Sequence, residues 1–147
     1  MSRGAFADAL YDAHVAHGGA PVVSEGSSAP FRDVGSWSPY FEALCWAKAS
    51  GIAGGYAGGA FRPSAPVTRQ QAAVMLYRYA QTTDLPLEGG SSRDLSGYRD
   101  ADTVPDWSRE AVCWAVHNGL WYSGSAVELR PDAAVSQEEL GVLTECL

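Results

Sequence analysis

A mainly α protein assembled from repeated helix, glycine-rich loop, helix units is the fold class this sequence predicts, on three observations. The segments EALCWAKASGI (42–52) and FRPSAPVTRQQAAVML (61–76) match EAVCWAVHNGL (110–120) and LRPDAAVSQEELGVLT (129–144) at one constant offset. Within them apolar residues recur every three or four positions, and no stretch alternates as a half-buried strand does. The 16 glycines and 8 prolines fall largely between these periodic stretches, where turns are required.

The elements follow in chain order. The first residues, MSRGAFADALY (1–11), read as an amphipathic helix matching VTRQQAAVMLY (67–77), so the chain holds two full units and the second half of a third. FRDV (31–34) and YRDA (98–101) open the full units, and Asp33 and Asp100 there are expected to cap the coming turn or helix. A helix is predicted from Ser38 to Ser50, with Pro39 in its first turn and Gly51 as its C-terminal cap. The glycine-rich stretch GGYAGG leads to a second helix over 68–80, where Ala72, Met75, Leu76 and Tyr79 share a face. Thr68-x-x-Gln71 and Ser136-x-x-Glu139 read as capping boxes. Turn-formers with little to bury mark 18–30 and 81–97 as linkers. The expected organisation is a partial first repeat with linker over 1–30, a second repeat with linker over 31–97 and a third, degenerate repeat over 98–147.

Composition excludes several functions. Apolar residues make up 46% and charged ones 18% of 147 residues, which suits a globular chain. No run approaches the about 20 apolar residues of a membrane helix, and no signal peptide is read at the N-terminus. A net charge of −7 argues against nucleic acid. Lys48 is the only lysine and the other cations are arginines, so an anionic ligand must be met by one or two local guanidinium groups. No hydrolase, zinc-protease or phosphate-loop motif appears, so neither an enzyme nor a cofactor is expected. His14 and His17, three apart with no third ligand, make a poor metal site. Cys45, Cys113 and Cys146 fit neither a zinc spacing nor a disulfide framework, and Cys45 and Cys113, repeat equivalents that symmetry could bring near each other, are expected as buried free thiols.

The unit FRDV, ALCWAKASGIAGGY, GGAFRPSAPVTRQQAAVMLYRYA closely resembles the S-layer homology repeat of bacterial surface proteins, and YRDA, AVCWAVHNGL and RPDAAVSQEEL carry the same plan. The resemblance covers essentially the whole chain and implies a pseudo-threefold module at the cell surface. Such a module holds proteins non-covalently to the wall by binding an acidic, pyruvylated-type secondary cell-wall polysaccharide. It further implies that the Thr-Arg-x-x motif at the start of the second helix contacts the acidic sugar. Carried over, the motif is Thr68-Arg69-Gln70-Gln71 and, in the first unit, Ser2-Arg3-Gly4-Ala5.

In the third unit Ser136-Gln137-Glu138-Glu139 lacks the arginine, and its two carboxylates repel an anion. A helix N-terminus supplies amides and partial positive charge, Arg69 adds a bidentate partner, and Gly55 and Tyr56 bring a close backbone and a stacking face. Trp121 and Tyr122 also lie in a loop and offer stacking faces, whereas Trp46 and Trp114, in matching CWA triplets, are expected in the core. Two alternatives stand beside this reading. Arg69 pairs with a neighbouring carboxylate, or the chain is a degenerate protein-interaction or assembly element whose incomplete first unit leaves an apolar face open to self-association.

Overall fold

The computed structural model describes residues 1–19, 29–83 and 89–145. Among these described residues five α-helices run in order, α1 (Arg3–Ala16), α2 (Phe41–Ala49), α3 (Arg69–Thr83), α4 (Asp106–His117) and α5 (Gln137–Glu145). Short 3-10 turns at Ser92–Leu95 and Ala101–Thr103 complete the regular structure. Among the described residues, extended backbone pairs only as isolated bridges, so the chain is mainly α as the periodicity predicts.

Two compact units divide the chain, one made of Met1–Pro66 and the other beginning at Val67. The division falls inside a sequence repeat, between FRPSAP and VTRQQ. Each unit therefore joins the second helix of one repeat to the first half of the next.

In the first unit α1 packs on α2. Ser2 is extended and its Oγ accepts the Ala5 N–H at 3.1 Å, which starts the helix by capping a first-turn amide. The Arg3 and Gly4 amides donate outward to the carbonyls of Ala65 and Pro63, at 2.8 and 2.9 Å. The start of α1 is thus docked on FRPSAP by main-chain bonds. Phe6, Leu10, Val34, Leu44, Ile52 and Phe61 are at most 1% exposed and form the apolar interior. Trp46 is buried, with Tyr11 and His14 against its ring at 5.4 and 5.1 Å. α2 begins at Phe41 rather than Ser38. The Ser38 hydroxyl accepts the Tyr40 N–H and the Ser38 carbonyl accepts the Phe41 N–H, closing a turn before the helix starts.

The second unit repeats the docking. The Arg69 and Gln70 amides donate to the carbonyls of Ala133 and Pro131, at 3.0 and 3.1 Å, and Thr68 bridges to Ala134. Both arms of the Thr68–Gln71 capping box form, at 3.1 and 3.3 Å. α3 extends past the predicted 80 to Thr83 and packs on α4. Trp114 is buried beside Tyr77, whose hydroxyl donates to Glu110.

The predicted linkers fare differently. Residues 20–28 and 84–88 lie outside the described residues, as does Cys146. Residues 91–95, expected to bury little, instead form a turn in which Ser91 and Asp94 make a capping box. Leu95 is 2% exposed there, in a core with Val104, Val112, Cys113 and Leu129. Gly90 permits this approach, because a Cβ at that position would come within 2.2 Å of the Cys113 carbonyl oxygen. Leu95→Ala should destabilise this unit by about 2–5 kcal/mol in denaturant unfolding. An effect below about 0.5 kcal/mol would restore the segment to linker status.

Candidate functional site

The structure distributes the predicted site residues over both units. Ser2, Arg3, Gly55 and Tyr56 come together in the first, while Thr68, Arg69 and Gln70 lie in the second. Tyr56 lies with Arg3, because α1 docks on the FRPSAP stretch that follows the loop of Tyr56.

In the first unit, Arg3 Nε donates to the Phe61 carbonyl at 2.9 Å. Its guanidinium carbon lies over the rings of Tyr56 and Phe61, at 4.7 and 4.5 Å from their centroids. Arg62, which the sequence reading did not single out, places its guanidinium carbon 4.2 Å from the same Tyr56 centroid. The two charges therefore lie within a Debye length of each other, about 10 Å at 0.1 M salt. Burial holds the Arg3 guanidinium below its ordinary pKa, and the charge of Arg62 acts in the same sense, against Tyr56 and Asp33. Among the described residues no carboxylate forms an ion pair with Arg3 or Arg62. Gly55, at φ 73°, is held for packing. A Cβ there would meet the Ala60 carbonyl oxygen and the Phe31 ring at 2.8 Å.

Asp33 builds this corner. Rather than capping a nearby helix, its two oxygens accept the amides of Phe61 and Arg62 across the loop, at 2.9 and 2.8 Å. Those bonds hold Arg62 at φ 60°, a left-handed conformation that a side chain resists. Asp100 does the same for Leu129 and Arg130, at 2.7 and 2.9 Å, with Arg130 at φ 52°. Burial pushes both carboxyls up. The amide bonds and the adjacent Arg32 or Arg99 outweigh it, so each ionises below the usual carboxylate range.

The second unit presents the same framework with its charge spent. Arg69 donates through NH2 to Glu139 at 2.6 Å, through Nε to the Tyr122 carbonyl at 2.9 Å and through NH1 to the Arg130 carbonyl at 3.2 Å. This is the carboxylate pairing weighed as an alternative from sequence. Arg130 in turn pairs with Glu128. Gln70 is buried, its Nε2 donating to Asp132 and its Oε1 accepting from the Ser108 hydroxyl, so its polar atoms serve the fold. Thr68 is occupied by its capping box.

Nor does the mouth of α3 offer open amides, as the sequence reading expects. The amides of Arg69, Gln70, Gln71 and Ala72 are taken by Ala133, Pro131, the Thr68 hydroxyl and the Thr68 carbonyl. Of the loop aromatics, Trp121 is half-buried with its indole N–H on the Leu129 carbonyl, while the Tyr122 ring is exposed. Cys45 and Cys113 are free, with burial pushing both thiols up, away from nucleophilic chemistry. His14 packs on Trp46, and no group able to hold a metal is found among the described residues.

Arg62 and Phe61 are the members that sequence reasoning missed, while Glu139, read there as a cap and a repelling carboxylate, is the partner of Arg69. A usable signal was present: FRP and LRP place an arginine at the same repeat position, and Asp33 and Asp100 recur with them.

A duplicated helix-on-loop scaffold carrying an arginine at each docked helix start defines a repeat-built helical module. The profile of the S-layer homology domain matches residues 30–73 and 97–140, and the chain belongs to that family. It is also 30% identical over 116 residues to the Surface-layer 125 kDa protein of Lysinibacillus sphaericus, spanning 77% of this chain but 9% of that relative.

Two outcomes check the corner geometry. Since the folded Asp33 carboxyl titrates below the unfolded one, its stabilisation is complete above about pH 3.9 and is lost as pH falls through the folded value. The urea midpoint of Asp33→Asn should therefore lie below wild type near neutral pH and converge on it as pH falls below the usual carboxylate range. A gap that stays constant would mean Asp33 does not titrate as described. Arg62→Gly, which relieves the left-handed strain, should raise stability by about 1 kcal/mol; a loss of stability would show that the guanidinium packing outweighs that strain.

Proposed function

We propose that the chain is a non-catalytic cell-wall-anchoring module whose first unit binds an anionic, pyruvylated-type wall polysaccharide at Arg3, Arg62 and Tyr56. The observation that carries this reading is a pair of guanidinium groups on one tyrosine ring without a carboxylate ion pair among the described residues. Taking Arg3 out of water costs free energy that aromatic faces and one carbonyl offset only in part. An incoming sugar carboxylate supplies the missing countercharge and a bidentate acceptor. The apolar face of a sugar ring finds Tyr56 beside it. Asp33 is close enough to act on Arg3, but its oxygens are committed to the Phe61 and Arg62 amides, so it holds the site open rather than filling it.

Membership in the S-layer homology family and likeness to a surface-layer protein support a location at the cell surface and a wall polysaccharide as partner. The net charge of −7 supports local over diffuse recognition, since a general cationic field is absent from the sequence.

The test is co-sedimentation with purified wall sacculi that retain their polysaccharide. Arg3→Ala and Arg62→Ala should each weaken binding by about 1.5–3 kcal/mol, the worth of a charged hydrogen-bonding partner, and binding should weaken further with salt. Arg69→Ala should change it by less than about 0.5 kcal/mol. Wild-type binding by both first-unit variants would overturn the assignment. The assembly-element alternative draws on the exposure of Trp37, 80%, and Trp107, 60%; light scattering showing a strict monomer for wild type and Trp37→Ser alike would remove it.

A further inference from the structure

We propose that Glu139 acts as an internal ligand of the second unit, occupying on Arg69 the place an external sugar carboxylate would take and so keeping this arginine site closed. The inference rests on the reading of Arg3 and Arg62 as an anion site, and extends it to the regulation of the repeated site.

Three observations point to Glu139. Its carboxylate meets Arg69 NH2 at 2.6 Å with both side chains about a tenth exposed, 11% and 10%, so the pair sits largely out of water where the attraction is least screened. Next, Glu139 departs from its repeat partner. Gln71 turns its side chain back onto the Thr68 amide, completing a capping box. Glu139 accepts nothing from Ser136 through its side chain in this way; its own amide donates to the Ser136 hydroxyl, and the carboxylate extends to Arg69 instead. Finally, the pair borders a small, largely apolar cleft of about 80 Å³. Ala72, Leu76, Leu120, Trp121 and Val135 line it beside Arg69 and Glu139. In the first unit the residue matching Ala72 is Phe6, a larger and fully buried side chain. The second unit thus has an arginine, an indole and an apolar wall around one cleft, with its cation neutralised from within.

An external carboxylate must displace one that is tethered to the same fold and present at high effective concentration. Glu139→Gln retains the shape and a neutral acceptor but removes the competing charge, which frees Arg69 for an outside anion.

The experiment follows the arginine Nε–H resonances by NMR in the full chain during titration with D-glucuronate, a sugar carboxylate. In wild type the Arg3 resonance should shift and the Arg69 resonance should not. In Glu139→Gln the Arg69 resonance should also shift, with apparent affinity at least tenfold above the upper limit that the still wild-type resonance sets, while the Arg3 response is unchanged. Glu139→Asp, which keeps the charge but withdraws it by one methylene, should give a smaller gain and serves if Glu139→Gln does not fold. An Arg69 resonance that stays still in both variants, or that already responds in wild type with the same affinity, overturns the proposal. A silent Arg3 in all forms with a gain at Arg69 would instead overturn the first-unit reading and leave Glu139 as the closing group.

Discussion

Everything else in this protein depends on a pair of main-chain hydrogen bonds made by the first turn of a helix to the loop of the following repeat. Arg3 and Gly4 donate to Ala65 and Pro63, and Arg69 and Gln70 donate to Ala133 and Pro131. A helix start has amides with no intrahelical partner, and an apolar-flanked loop has carbonyls that need donors; joining them satisfies both at once. The same bonds decide which arginine meets which loop. They bring Arg3 to Tyr56 and Arg69 to Tyr122, and they leave no helix-mouth amide for a ligand to claim.

With the scaffold duplicated, chemistry differs only through side chains. Asp33 and Asp100 brace their loops identically, each holding an arginine in a left-handed conformation that only a well-determined surrounding maintains. Beyond that the units diverge. Where the second has Glu128 and Glu139 beside Arg130 and Arg69, the first has Ala60 at the position of Glu128 and aromatic rings on Arg3. Among the described residues, two guanidinium groups without paired carboxylates and two with them are opposite electrostatic states built on one backbone. The acidic overall charge does not blur this contrast, because screening confines each arginine's influence to its own corner.

Much of this was legible in the sequence. Periodicity located the helices, the matching CWA triplets placed Trp46 and Trp114 in the interior, and Thr68-x-x-Gln71 marked a real capping box. What escaped depends on partners far along the chain. Nothing local says that Asp33 bonds residues 61 and 62, or that Glu139 abandons its box for an arginine 70 positions earlier. Leu95 was hidden among turn-formers, since a single apolar residue carries no period. Arg69 and Tyr56 share one repeat in the sequence, and the division between the compact units falls between them. Repeats written consecutively in sequence need not be the bodies that pack.

The most direct measurement is a crystal structure of the protein with an oligosaccharide bearing a pyruvate ketal. Density for its carboxylate between the guanidinium groups of Arg3 and Arg62, with the sugar ring against Tyr56 and Glu139 still on Arg69, is the predicted result. A carboxylate bound at Arg69 with Glu139 displaced, and the Arg3 corner left without sugar, would contradict it.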